Sequence, residues 1–262
     1  MILDRFRVDG QVAIVTGAGR GIGAAAALAL AECGANVVIA SRTTAQLDDV
    51  VASIHALGQK AIPVACDLMD LDAVAHLASV AKDEFGRIDI LVNNVGGAIP
   101  LPLLDTPTAY LEEAFHFNVS TAHVLTVAAA PIMLETGGGA IVNISSSMGR
   151  ISGRGYAAYG TAKAAMAHYT RLSSKDLAPR IRVNAIAVGA TATSALEIVT
   201  STPELLDAMI AATPLQKIGD VEDISAAVVY LASSAGGYLT GKVLEVDGGG
   251  DIPTLDFGLP DL

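Results

Sequence analysis

Two kinds of apolar segment alternate along the chain. Short runs rich in β-branched residues recur seven times, and longer Ala- and Leu-rich stretches with helical spacing lie between them. We predict strands at Val12–Thr16, Asn36–Ala40, Ala61–Ala65, Ile88–Asn93, Ala140–Ser145, Ile181–Ala187 and Lys242–Val246. We predict helices that include Gly23–Cys33, Gln46–Leu57, Leu71–Phe85, Val119–Leu134 and Ala157–Leu177. Nearly continuous apolar strands alternating with helices are typical of a parallel sheet covered on both faces. The pattern therefore predicts an α/β fold of three layers, with a doubly wound, seven-stranded parallel sheet of the Rossmann type.

The alternation continues without a break across most of the 262 residues. The chain has no low-complexity linker and no internal repeat, and its length is within the range of one α/β domain. We therefore assign residues 1–250 to a single domain. Residues 251–262 carry two prolines and no helical period, so we expect a C-terminal tail there.

The high mean hydropathy of +0.51 raises the question of a membrane segment. The candidate stretch from Asn118 to Leu134 carries no charge, but it includes His123 and Pro131 and is shorter than the roughly 20 apolar residues that a spanning helix needs. The N-terminal residues MILDRFRVDG carry charges where a signal peptide has its apolar region. We expect no membrane span, with the apolar side chains buried inside the domain and between subunits.

Charge and cysteine content exclude two further classes. Sixteen basic and 27 acidic side chains give a net charge of −11, which argues against binding to a phosphate backbone, so we expect no nucleic-acid partner. Two cysteines cannot form a disulfide framework and are typical of a reducing compartment, so we expect a cytoplasmic protein. The five histidines show no metal-ligand spacing such as H-E-x-x-H, and we predict no metal site.

A glycine-rich turn joins the first predicted strand to the first predicted helix. Its sequence, TGAGRGIG from Thr16 to Gly23, spaces Gly17, Gly21 and Gly23 as G-x-x-x-G-x-G. Backbone N–H groups and the positive end of a helix dipole bind a pyrophosphate at such a turn, and side chains would block its approach. The turn could serve packing alone, but its place between a strand and a helix favours a dinucleotide site.

The end of the second predicted strand bears on the choice of dinucleotide. An Asp or Glu there would bind the ribose 2′-hydroxyl of NAD(H), but this chain has Ser41 and Arg42, and Arg20 adds a second cation in the glycine turn. Two guanidinium groups and a hydroxyl suit a 2′-phosphate. We therefore predict that NADP(H) is preferred, with NAD(H) possible. The alternative is that both arginines are solvated surface charges.

Tyr159 and Lys163 stand four residues apart in a predicted helix and so share one face. An adjacent ammonium group favours the phenolate form, and a lower Tyr pKa suits general acid–base catalysis at neutral pH. Ser146, thirteen residues before Tyr159, could hydrogen-bond a substrate carbonyl oxygen. The alternative for Ser145–Ser147 is a polar turn.

Together these motifs resemble the short-chain dehydrogenase/reductase family. The glycine turn, the run Asn93-Asn94-Val95-Gly96, Asn118, Ser146 and the pair Tyr159-x-x-x-Lys163 follow the family's order and spacing, from about Phe6 to Gly249. Parts of the chain are most similar to 7α-hydroxysteroid dehydrogenases, and the 3-oxoacyl-carrier-protein reductases are nearly as similar. Two positions depart from the family's pattern: Val95 replaces its usual Ala, and Val188 replaces its usual Pro.

The resemblance implies a role for each matching residue. Tyr159 would be the acid/base, Ser146 would orient the substrate oxygen, Lys163 would lower the Tyr159 pKa and hold the nicotinamide ribose, and Asn118 would anchor a water in a proton relay. Asp67 would contact the adenine. The residues we predict to bind the cofactor are Gly17, Arg20, Gly21, Ile22, Gly23, Ser41, Arg42, Asp67, Leu68, Asn94, Gly96, Tyr159, Lys163, Gly189, Thr191 and Thr193.

We expect hydride transfer between NADP(H) and a secondary alcohol/ketone pair, on an apolar substrate such as a hydroxysteroid. One alternative is a 3-oxoacyl-carrier-protein reductase, and another, from a different class, is a protein that senses NADP(H) without catalysis. The family resemblance also implies a homotetramer. We expect the substrate site to draw on several apolar side chains, namely Ile99, Met148, Ile151, Leu196, Ile198, Val199 and Met209. Ordinary core packing is the alternative for at least half of them.

Overall fold

A seven-stranded parallel sheet forms the centre of the protein. The computed structural model describes residues 1–193, 196 and 201–254. Its strands are β1 (Val12–Thr16), β2 (Asn36–Ser41), β3 (Ala61–Ala65), β4 (Ile90–Asn93), β5 (Gly139–Ser146), β6 (Ile181–Val188) and β7 (Val243–Val246). They are arranged in the order β3-β2-β1-β4-β5-β6-β7. The predicted fold class is confirmed.

Eight α-helices lie within the described part of the chain. They are α1 (Gly21–Glu32), α2 (Thr44–Ala56), α3 (Leu71–Phe85), α4 (Thr108–Phe115), α5 (Thr121–Glu135), α6 (Ala157–Leu177), α7 (Pro203–Ala212) and α8 (Val221–Ala232). The predicted ranges of α3 and α6 agree with the structure at both ends.

Each face of the sheet carries its own apolar core. On one face α1, α2 and α8 pack over residues such as Val15, Ile39 and Val142. On the other face α3 and α5 pack over residues such as Ile14, Leu91 and Ile141. Helix α1 approaches α8 closely because its core-facing positions include the small residues Ala26 and Ala27. A fully buried Leu or Ile contributes about 1.5–3 kcal/mol relative to an exposed one, so burial on both faces accounts for the high apolar content.

The helix predicted at Val119–Leu134 is longer in the structure. A continuous helical stretch runs from Thr108 to Glu135, with one π-helical turn at His116–Ser120 between α4 and α5. These 28 residues are long and apolar enough to cross a membrane by length and composition. However, 56% of their most apolar window is buried inside the fold, where α5 packs on α3. The stretch has the burial expected of a core helix.

Strand ends differ slightly from the predicted ones. Strand β4 begins at Ile90 rather than Ile88, and just before it the Asp89 carboxylate accepts a hydrogen bond from the N–H of Val12 at 2.9 Å. At the other edge, β2 and β5 extend by one residue, to Ser41 and Ser146.

All seven strands are parallel, so their carboxyl ends meet at one edge of the sheet. Strand order reverses between β1 and β4, and ligands bind outside the carboxyl ends of strands at such a switch point. The fold therefore brings the predicted site residues, which follow different strands, to a single crevice.

Candidate active site

The glycine turn between β1 and α1 adopts a backbone path that depends on its glycines. Gly17 and Gly21 have φ of +65° and +57°, in the left-handed region. A Cβ at Gly23 would collide with the carbonyl oxygen of Gly17. Helix α1 begins at Gly21, and no side chain caps its first turn. The turn thus leaves backbone N–H groups at a helix N-terminus free of side-chain obstruction, which fits a pyrophosphate.

Two side chains from neighbouring strand ends hold this turn in place. The Asn94 amide donates to the carbonyl oxygens of Thr16 at 2.9 Å and Gly17 at 3.3 Å. The Thr16 hydroxyl oxygen accepts from the N–H groups of Asn94 at 3.0 Å and Val95 at 3.2 Å. Asn94 therefore contacts the glycine turn, and its side-chain amide donates its hydrogen bonds to the backbone of that turn. Thr16 was absent from our predicted site, although it opens the TGAGRGIG motif.

The end of β2 offers an unused polar atom beside the glycine turn. The Ser41 hydroxyl oxygen is buried and has no hydrogen-bond partner. A Cβ at Gly19 would lie 2.6 Å from that oxygen, so the two segments touch there. The exposed residues Arg20 and Arg42 directly follow Gly19 and Ser41 in the chain. A buried hydroxyl without a partner, with an arginine following each of the two touching residues in the chain, fits a ligand phosphate or ribose oxygen at this point.

The predicted adenine-side residues follow β3. Asp67 is exposed at the carboxyl edge, and its carboxylate accepts from the N–H of Met69 at 3.0 Å. Leu68 is buried in the core beneath α3. Among the other predicted cofactor residues, Ile22 packs against the opposite core.

The segment after β6 approaches the glycine turn from the far side. A Cβ at Gly21 would lie 3.7 Å from the Thr193 methyl carbon. The Thr191 hydroxyl donates to the carbonyl of Gly189 at 3.2 Å, and a Cβ at Gly189 would collide with the backbone of Asp247. Gly21 and the residues from Gly189 to Thr193 therefore line one side of the crevice.

Asn118 lies in the π-helical turn and is only 1% exposed. Its side-chain amide donates to the carbonyls of Ala114 at 2.7 Å and Gly97 at 3.0 Å, and its carbonyl oxygen accepts from the Gly97 N–H at 3.0 Å. A Cβ at Gly96 would collide with that oxygen and lie 2.9 Å from Lys163 Nζ. Gly96, Asn118 and Lys163 are therefore brought together, with only glycine admitted at position 96.

Ser146 ends β5 directly beside the end of β6. Its hydroxyl donates to the Val188 carbonyl at 3.4 Å and accepts from the Met148 N–H at 3.2 Å. The preceding Ser145 donates instead to the backbone carbonyl of Lys163 at 2.9 Å, and so anchors α6. The structure thus separates the two serines by role: Ser146 faces the Tyr159 hydroxyl and Ser145 fixes the helix that carries it.

Tyr159 and Lys163 share one face of α6, as predicted. Lys163 Nζ lies 5.7 Å from the centre of the Tyr159 ring and donates to the Ile144 carbonyl at 2.9 Å. Burial lowers the pKa of Lys163 to about 8, and the side chain is 3% exposed. Burial also raises the pKa of Tyr159, and hydrogen bonding by Ser146 offsets only part of that rise. The predicted lowering of the Tyr159 pKa by Lys163 stays a prediction.

The two departures from the usual family pattern cause no disruption. Val95 packs partly against the core beneath α3 and α5, so its extra methyl groups are accommodated there. Val188 is the last residue of β6 and pairs with Val246 of β7.

The predicted substrate walls are only partly in place. Ile99 is 74% exposed, and Leu103 and Leu104 beside it are exposed as well. The Tyr110 hydroxyl contacts the backbone of this loop: it accepts from the Ile99 N–H at 2.6 Å and donates to the Ile99 carbonyl at 3.0 Å. Met209 is fully buried and belongs to the interior. Ile198 and Val199 lie outside the described residues.

These features define a class of protein: a dinucleotide-binding oxidoreductase with a Ser, a Tyr and a Lys at the carboxyl edge of its sheet. A family model described as enoyl-(acyl carrier protein) reductase matches residues 17–251. The chain belongs to the short-chain dehydrogenase/reductase family, whose members bind NAD(H) or NADP(H).

Several relatives match over almost the whole chain. An uncharacterized oxidoreductase of Mycobacterium tuberculosis (strain CDC 1551 / Oshkosh) is 60% identical, and the alignment covers all of both chains. The 7α-hydroxysteroid dehydrogenase of Escherichia coli K12 is 39% identical, covering 94% of this chain and 96% of that protein. A 3-oxoacyl-[acyl-carrier-protein] reductase of Synechocystis is 37% identical, covering 91% and 96%. A solved 7α-hydroxysteroid dehydrogenase, complexed with NADH and 7-oxo glycochenodeoxycholic acid, is 38% identical and superposes with a TM-score of 0.91, covering 95% of this chain and 97% of that chain.

The buried ammonium of Lys163 gives a prediction about stability. A pKa lowered from 10.5 to about 8 corresponds to a destabilisation of roughly 3 kcal/mol while the group is charged in both states. We expect Lys163→Met to raise the free energy of unfolding at pH 7 by about 1–3 kcal/mol. The gain should shrink as pH rises from about 8 to 10.5, where the folded wild type already holds a neutral amine and the unfolded chain does not. Denaturant unfolding of both proteins at pH 7 and pH 10 measures this difference, and equal gains at both pH values would contradict it.

Proposed function

We propose that this protein is an NADP(H)-dependent oxidoreductase that interconverts a secondary alcohol and a ketone, on an apolar substrate such as a hydroxysteroid. The observation that carries the proposal is the meeting of Ser146, Tyr159, Lys163 and Asn118 at one edge of the sheet, beside the glycine turn. The 39% identity to a 7α-hydroxysteroid dehydrogenase over 94% of the chain supports the substrate class.

When bound, the nicotinamide gives or accepts the hydride. The chain's own residues hydrogen-bond the substrate oxygen and supply or remove its proton. In the reducing direction Tyr159 protonates the substrate oxygen, while the Ser146 hydroxyl hydrogen-bonds the charge that develops there. The nearby ammonium of Lys163 favours loss of the phenol proton, and the neutral form of Lys163 becomes accessible near pH 8. Asn118 keeps one lone pair of its carbonyl oxygen for a water that resupplies the proton.

The preference for NADP(H) is supported by the end of β2. No acidic side chain stands there, the Ser41 hydroxyl is buried without a partner, and Arg20 and Arg42 adjoin the contact between Gly19 and Ser41. A 2′-phosphate would satisfy the hydroxyl and both cations. The glycine turn and the segment from Gly189 to Thr193 would hold the rest of the dinucleotide.

The alternative substrate is a 3-oxoacyl thioester on a carrier protein, supported by the 37% identical Synechocystis reductase. One assay distinguishes the two substrate classes: NADPH absorbance is followed with a 7-oxo bile acid and, separately, with a 3-oxoacyl thioester. A much larger kcat/KM for the thioester would overturn the steroid proposal in favour of the alternative. A protein that only senses NADP(H) would bind it and turn over neither compound.

Removing the phenol hydroxyl tests the acid/base assignment. Tyr159→Phe should lower kcat/KM by about 10³-fold, since general acid–base catalysis contributes roughly 10²–10⁴-fold. Binding of NADPH, measured by fluorescence titration, should stay within about twofold of wild type because the ring and Lys163 are retained. Turnover within tenfold of wild type would rule Tyr159 out as the acid/base.

Reversing one charge tests the cofactor preference. Arg42→Asp should lower the NADPH/NADH ratio of kcat/KM by about 10–100-fold, because a charge-assisted contact to the 2′-phosphate is lost and a like charge is introduced. Lys60→Asp is the matched control: Lys60 is exposed and precedes β3, at the opposite edge of the sheet. An equal change in both variants would show that net charge, and not the site, sets the ratio.

We further propose a homotetramer in which the outer faces of α5 and α6 pack against a neighbouring subunit. Support comes from large apolar side chains that are exposed around these helices, at Phe115, Val127 and Leu172. Light scattering should give a mass about four times the 26.6 kDa of one chain. Replacing Val127 and Leu172 by Glu should dissociate the assembly, and a wild-type mass near one subunit would contradict the proposal.

A further inference from the structure

Arg150 lies four residues after Ser146 and is linked to a distant part of the chain. We name residues 146–151 the catalytic turn and residues 247–254 the C-terminal segment. The Arg150 guanidinium pairs with Glu245 at 3.0 Å, Asp247 at 3.3 Å and Asp251 at 3.6 Å. It also donates to the carbonyl of Gly250 at 2.8 Å. The charged partners of Arg150 are therefore carboxylates of the protein itself.

The catalytic turn is itself rigidly placed. The N–H groups of Arg150 and Ile151 both donate to the Ser147 carbonyl, at 2.8 and 2.9 Å. A Cβ at Gly149 would lie 2.8 Å from the backbone carbon of Lys163, so the turn lies directly on α6. Arg150 therefore belongs to a hydrogen-bonded turn that packs on α6, close to Ser146 and Lys163.

The C-terminal segment is held on one side by the Leu215 N–H, which donates to the Gly248 carbonyl at 3.1 Å, and on the other side by Arg150. Glu245, Asp247 and Asp251 bring three negative charges to one cation, and the Asp247 side chain is only 7% exposed. Without Arg150 these carboxylates would repel one another and Asp247 would lose its ion pair. Arg150 thus links the catalytic turn to the carboxylates of Asp247 and Asp251 in this segment.

Beyond Asp251, the segment reaches the substrate side of the site. A Cβ at Gly153 would lie 2.9 Å from Pro253 Cγ, 3.0 Å from Tyr156 Cδ2 and 3.1 Å from Met148 Cε. Pro253, Tyr156 and Met148 therefore converge on Gly153. The Tyr156 ring is in turn 6.2 Å, centre to centre, from that of Tyr159.

We propose that Arg150 is a positioning residue that fastens the C-terminal segment to the catalytic turn, so that the segment forms a wall of the substrate site and favours large substrates. The consequence for substrates rests on the alcohol/ketone chemistry proposed above. A bulky ketone contacts this wall through its remote part, whereas a small ketone reaches Ser146 and Tyr159 without touching it.

Two variants and a control test the proposal. Arg150→Gln removes the charge and the fork of donors, whereas Gly153→Ala keeps Arg150 but places a methyl group against Pro253. Lys60→Gln removes one exposed positive charge at the opposite edge of the sheet. Amide hydrogen exchange of residues 247–254, which needs no substrate, should be about tenfold faster in Arg150→Gln and unchanged in Lys60→Gln. Added salt should speed this exchange in wild type more than in Arg150→Gln, because it screens the exposed ion pairs.

Kinetics with two ketones then separate positioning from general destabilisation. For 7-oxo glycochenodeoxycholic acid, KM should rise about tenfold in Arg150→Gln and in Gly153→Ala, with kcat within about threefold of wild type. For cyclohexanone, both constants should stay within about twofold. Equal losses for both ketones, or unchanged exchange at residues 247–254 in Arg150→Gln, would overturn the proposal. If the wild type reduces neither ketone, the proposed function fails, and the exchange rates alone then decide whether Arg150 fastens the segment.

Discussion

The close approach of backbone segments at the carboxyl edge of the sheet is the constraint on which the site depends. A side chain at position 23 would collide with the Gly17 carbonyl. A side chain at position 96 would collide with Asn118, and one at position 189 would collide with Asp247. Asn94 and Thr16 add the hydrogen bonds that keep the glycine turn and β4 together. Because parallel strands end at the same edge, these contacts draw the ends of β1, β4, β6 and β7 around one crevice.

Burial at this edge changes the chemistry of the groups it encloses. Lys163 is the one Lys or Arg among the buried residues of the described chain, and the Ile144 carbonyl accepts a hydrogen bond from its ammonium. Its pKa falls to about 8 while that of Tyr159 rises above its ordinary value, so the two pKa values move apart. Burial thus favours the uncharged form of both groups, a neutral amine and a neutral phenol.

Charge is distributed unevenly over an acidic protein. The chain carries a net charge of −11, yet Arg20, Arg42, Arg150 and Lys163 all lie around the crevice. Arg20 and Arg42 adjoin a buried hydroxyl without a partner, and Lys163 adjoins the phenol. Arg150 is bound by carboxylates of the same chain and serves to order the C-terminal segment. The position of each cation, rather than the net charge, determines what it can do.

The sequence by itself determined the layers of the fold and named candidate residues for the site. Hydrophobic periodicity predicts α3 and α6 to the residue, and the spacing of Tyr159 and Lys163 places them on one helical face. Both are local properties of a helix or strand. Only the tertiary structure revealed the bond at the start of β4, where the Asp89 carboxylate accepts from the N–H of Val12, 77 residues away. It alone showed which groups Ser145 and Arg150 contact, because these contacts join segments that are distant in sequence.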